Sequence, residues 1–104
     1  SFTTPDLYQE NSVSAGVNWT VNVTQKPRIV IYHCLISNTY SFTYIINVEK
    51  ETVYRIGTYT SATTYWHETR PYSDIVYNID SSSVVLKASE FSNLAAKVVT
   101  LIYY

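Results

Sequence analysis

A histidine beside a cysteine (His33, Cys34) and a histidine beside a glutamate (His67, Glu68) are the residues of this chain whose types best suit chemistry. A thiol and an imidazole in contact would make a nucleophile and its base. His33 and Cys34, however, are neighbours in RIVIYHCLI, which reads as a β-strand, and neighbours on a strand point to opposite faces. They cannot meet as a dyad. A thiol in so apolar a strand stays protonated and inert, so Cys34 is expected to be a small core side chain. His33 is expected to be a hydrogen-bonded histidine in or near the core. A metal site would want three or four convergent ligands. His67 and Glu68 have only Asp74 or His33 as further candidates, and no metal site is expected. Asp74 and Asp80 would share a strand face but lie roughly 20 Å apart, too far for paired-carboxylate catalysis. There is no G-x-S-x-G, and two glycines in all leave no phosphate-cradling loop. The expectation is a protein that is not an enzyme and needs no cofactor.

Two stretches suit binding or modification instead. Tyr65, Trp66, His67, Glu68, Arg70 and Tyr72 crowd into YWHETRPY, which is read as an inter-strand loop. Rigid aromatic area with directional polar groups is what glycan sites and protein interfaces use. The plainer reading is a loop whose aromatics cap the end of the fold, with Glu68 and Arg70 paired at the surface. Asn18-Trp19-Thr20 and Asn22-Val23-Thr24 fit the N-glycosylation pattern. With seven Asn and about a quarter Ser plus Thr, two such matches are no more than chance provides. On one strand the two asparagines would share a face about 13 Å apart, and that face is expected to be solvent.

The elements that position these residues are strands. Val17, Trp19, Val21 and Val23 alternate with Asn18, Thr20, Asn22 and Thr24, the period of a half-buried strand. Residues 28–36 are apolar on both sides, as in a strand covered on both faces. Residues 40–48 alternate and form a hairpin with them across Ser37-Asn38-Thr39. A strand over 52–60 has mixed faces, and Gly57 within it signals a bulge or a close backbone contact. Residues 74–80 and 84–88 read as two more strands. Phe91, Leu94, Ala95 and Val98 fall at helical spacing behind Ser89, predicting a short crossover helix near 89–97 before the final strand VVTLIYY. Residues 1–16 show no period and read as an extended arm preceding a single domain over 17–104. About seven short strands point to an all-β antiparallel sandwich, immunoglobulin-like or a small jelly roll.

Composition bounds the setting. Charged residues are 14% of the chain against a usual ~25%. Net charge is −1 with no basic run, which argues against nucleic acid. Eleven Tyr, with high Ser and Thr and little Gly, give a composition similar to surface-exposed β proteins and subunits of extracellular filaments. No apolar stretch approaches the roughly 18 residues of a membrane span. A lone cysteine cannot form an intrachain disulfide, so Cys34 would pair between chains or not at all. The expectation is an extracellular or cell-surface structural or adhesive subunit, a homo-oligomer or filament former joined through the N-terminal arm or through edge strands. The alternative is a glycan- or receptor-binding, lectin-like module using the Tyr65–Tyr72 stretch.

Overall fold

Alternation of apolar and polar residues at period two makes most of this chain pleat, and the computed structural model describes residues 3–35, 40–59, 65–88 and 96–104. Nine strands lie among the described residues: β1 (Leu7–Val13), β2 (Trp19–Asn22), β3 (Ile29–Leu35), β4 (Tyr40–Asn47), β5 (Thr52–Tyr59), β6 (Tyr65–Arg70), β7 (Val76–Ile79), β8 (Ser83–Leu86) and β9 (Ala96–Tyr103). A single helical turn, α1 (Tyr72–Ile75), follows Pro71. All pairings are antiparallel. Six strands form one sheet in the order β1-β9-β3-β4-β5-β6, and three form a second in the order β2-β8-β7. The fold is thus all-β, in two sheets.

The core lies between them. Val13, Val30, Tyr32, Cys34, Phe42, Tyr44, Ile46, Val53, Val98 and Ile102 come from one face of the large sheet, and Trp19, Val21, Val76, Val84 and Leu86 from the small one. Tyr32 stacks on Tyr44 at 4.4 Å and receives Trp19 edge-on at 5.2 Å. Such ring pairs add to the area they bury. Every one of these large-sheet residues has the same strand parity. Among the described residues, each buried apolar side chain of the six strands therefore faces the small sheet.

Several expectations need correction. Residues 7–13, within the segment read as an extended arm, are strand β1 of the chain's own sheet and pair with β9 from Leu7↔Ile102 to Val13↔Ala96. Gln9 also donates to the Thr20 carbonyl at 3.3 Å, tying β1 to β2. The apolar C-terminal run is not an edge either, for β9 lies between β1 and β3 and both its sides are hydrogen-bonded. Strand β3 is covered on one face only: Val30, Tyr32 and Cys34 are buried, Ile29 and Ile31 half-buried, His33 and Leu35 exposed. Asp74 and Ile75 belong to α1, and a bulge between Val76 and Asn78 breaks the alternation that spacing suggested. The expected helix at 89–97 lies outside the described residues up to 95, while Ala96, Lys97 and Val98 are strand. Val98, the last residue of the helical spacing, is a strand residue that faces the sandwich interior.

Candidate functional site

The stretch read as a loop is the edge strand β6. Its six residues Tyr65–Arg70 alternate exposed and half-buried, because Thr, Trp and Tyr fit a pleated, half-covered surface. Register against β5 sets Trp66 opposite Gly57, Glu68 opposite Arg55 and Arg70 opposite Val53 on the inner side, with Tyr65 and His67 outward. Tyr72 sits half-buried in α1. The six candidate binding residues therefore divide between two faces and a helical turn, and do not form one site. Nor is the carboxylate of Glu68 paired as expected with Arg70: its ion-pair partner is Arg55, directly across the ladder. That hydrogen bond, with the charges of Arg55 and Arg70, holds Glu68 below the usual carboxylate range. The Arg55 guanidinium also lies 4.4 Å from the centre of the Phe42 ring.

On the inner side at this end, four rings close a cycle. Tyr40 meets Phe42 at 5.5 Å and Tyr59 at 6.3 Å, and Trp66 meets Phe42 at 5.9 Å and Tyr59 at 5.0 Å. Gly57 is the reason the indole fits. A Cβ there would stand 2.3 to 2.8 Å from three Trp66 ring atoms, closer than any real contact. The close backbone contact signalled by a glycine inside a strand is this one. Of the cycle, sequence reasoning singled out Trp66 alone; Tyr40, Phe42 and Tyr59 come from other strands, and only the pairing register brings them together.

The opposite face of the large sheet is the more unusual surface. One row of paired residues crosses all six strands as Tyr8, Leu101, Ile31, Ile45, Tyr54 and Thr69. The next row is Glu10, Val99, His33, Thr43, Ile56 and His67. Tyr103 and Ile29 extend the apolar area on one side, Leu35 and Tyr65 on the other. Tyr8 (56% exposed), Leu35 (46%), Tyr54 (37%) and Tyr65 (66%) are four of the seven large hydrophobic residues that are exposed among those described. Charge is sparse here: Glu10 and Lys97 at the β1 side, with His33 and His67 further along the sheet. His33 lies on this open face rather than in the core, its Nδ1 hydrogen-bonded to Thr43 Oγ1 at 2.8 Å. Tyr8 donates its hydroxyl to Glu10 at 2.7 Å, and that bond is the main reason its own pKa is raised.

Cys34 is wholly buried on the inner face, so it has no route to a thiol of another chain. His33 and His67 are three strands apart, about 14 Å. Among the described residues no three His, Cys, Asp or Glu side chains are grouped to hold a metal ion. Among the described residues, one groove of about 260 Å³ lies beside Glu10, Ser12 and Lys97, with Ser12 opposite Lys97 across the β1–β9 ladder, and another of about 280 Å³ lies beside Lys26, Arg28 and Glu49. No helix among the described residues is long and apolar enough to cross a membrane. Asn18, just before β2, and Thr20 and Asn22 within it are exposed, while Trp19 and Val21 are buried. The two acceptor asparagines thus lie on the far side of the molecule from the open face of the large sheet.

No family model, curated protein or solved structure matches this chain.

Proposed function

We propose that this chain is a non-enzymatic structural or adhesive subunit, acting outside the cell or at its surface, that assembles with copies of itself through the open face of its six-stranded sheet. The observation that carries this is the apolar row Tyr8, Leu101, Ile31, Ile45 and Tyr54 with Val99 and Ile56 beside it, on the face turned away from the small sheet: the two tyrosines are exposed and the five aliphatic side chains half-buried. Contiguous apolar surface of this kind is rare on soluble monomers and marks an interaction site. The two other expected routes fare worse. The N-terminal segment is occupied as β1 of its own sheet. The edges of the large sheet are charged, by Glu10 on β1 and by Glu68 and Arg70 on β6, which is how natural edges resist strand addition. Sugars on Asn18 and Asn22 would project away from the assembly face and leave it clear. Sedimentation across a concentration series tests the reading. Association in the micromolar range supports it, and a strict monomer at millimolar concentration contradicts it.

The four-ring cycle favours a second reading, a glycan- or receptor-binding module. Tyr59 is 48% exposed at its rim, and stacked aromatic area of this sort suits the apolar face of a sugar. Under it, Tyr59→Ala abolishes ligand capture on a glycan array and leaves the oligomeric state unchanged.

A further inference from the structure

The two halves of the open face differ, and the difference selects one way of stacking them. Its midline runs between β3 and β4, with β9 and β1 on one side and β5 and β6 on the other. Turned about a two-fold axis along that midline, a second copy lays its β4 over β3, its β5 over β9 and its β6 over β1. On the axis Ile31 of one protomer then meets Ile45 of the other and His33 meets Thr43, and these are flanked by the apolar pairs Leu101 with Tyr54 and Val99 with Ile56. At the margins Glu10 of each protomer meets His67 of its partner, and Tyr8 meets Thr69. A two-fold axis across the strands does worse. Centred on the row of Glu10 it sets that carboxylate against its own copy, and placed midway between that row and the row of Tyr8 it leaves Glu10 facing Tyr8 and His33 facing Ile31.

We infer that the assembly unit is a two-fold dimer of this kind, with the axis parallel to the strands and Glu10 against the partner's His67 at both ends; this rests on the reading of the open face as the assembly surface. Sheets stack about 10 Å apart, a gap that a Glu and a His side chain fill between them. Stacked sheets turn by about 30° to one another, which moves the outer strands by roughly 6 Å and keeps the pair within diagonal reach. Six strands by four rows make a face of about 24 by 20 Å, near 500 Å² on each partner. At about 1,000 Å² in total that is below the standard size of specific interfaces, the range of weak, transient contacts.

The test is sedimentation equilibrium on wild type, Glu10→Arg, His67→Glu and the double variant, at one pH and low salt. All substitutions are at exposed sites, and equal urea midpoints confirm intact folds. His67→Glu sets two carboxylates against each other at both ends of the dimer and should raise the dissociation constant about tenfold or more, and Glu10→Arg removes the carboxylate that His67 meets and should raise it severalfold. The double variant re-pairs Arg with Glu and should return to within about threefold of wild type. Dimers indifferent to all three changes overturn this arrangement and leave the face in play. Wild type that does not associate at all overturns both.

Discussion

Replacing Gly57 by alanine probes the fit of the aromatic cycle at one atom. The new Cβ would lie 2.3 Å from Trp66 Cζ2, 2.4 Å from Cε2 and 2.8 Å from Cη2, so the indole must leave its seat. Positive φ is confined to Glu51 and Gly16 among the described residues, so the backbone at 57 accepts alanine and the whole penalty is steric. The displaced ring gives up its contacts with Phe42 and Tyr59. Overpacking of this size costs about 1–3 kcal/mol, which for a domain of this length lowers Tm by roughly 5–20 °C. In a Trp66→Val background the obstruction is gone. There the same Gly57→Ala change should stabilise by about 0.5–1 kcal/mol, since a glycine inside a strand costs that much in chain entropy. Urea unfolding followed by far-UV circular dichroism gives the four free energies of the cycle. A coupling of about 2 kcal/mol with inverted sign is the expected result. An equal effect of Gly57→Ala in both backgrounds would refute the packing of Trp66 on Gly57.

Other parts of the structure make their own predictions. Asp80 accepts from the Ser82 and Ser83 amides at 2.8 and 2.9 Å, from the Ser82 hydroxyl and from Asn78, which lowers its pKa to about 2. A depressed carboxylate stabilises above its unfolded pKa and loses that contribution as pH falls through the folded one. Asp80→Ala should therefore lower Tm at pH 7, with the difference shrinking as pH falls and closing only below about pH 2, measured by thermal melts across pH. Thr100 is fully buried and its Oγ1 has no hydrogen-bond partner among the described residues. Thr100→Val keeps the shape and removes the hydroxyl, and should raise the urea-derived stability by about 1–2 kcal/mol. Cys34, buried on the inner face, should react with a thiol reagent only as fast as the chain opens, and addition of urea should accelerate labelling by orders of magnitude.

Where one face of a strand is buried and the other wet, the sequence was readable. Trp19, Val21 and Val23 are buried and Asn18, Thr20, Asn22 and Thr24 exposed, as their alternation indicated, whereas Val17, expected on the buried side, precedes β2 and is 58% exposed. The same geometry separated His33 from Cys34. The failures are physical too. β1 carries Gln9 and Asn11 on its inner side, because it lies at the margin of the large sheet beside β2, so its alternation is masked by polar residues. β6 places Glu68 inward because Arg55 waits across the ladder, a partner thirteen residues away that local spacing cannot reveal. The doubly apolar β3 was read as covered on both faces. Hydrophobicity reports a tendency to be buried, and it does not say whether the cover comes from the same chain. The candidate site moved for that reason, from the Tyr65–Tyr72 stretch to a face assembled from all six strands.

The measurement that tests self-association through this face most directly is a dilution series on methyl-labelled protein followed by nuclear magnetic resonance. The account predicts concentration-dependent shifts for the methyls of Ile31, Ile45, Ile56, Val99 and Leu101, and constant positions for Val21 and Val84 in the interior of the small sheet. Shifts confined to other surfaces, or none across the micromolar to millimolar range, would contradict it.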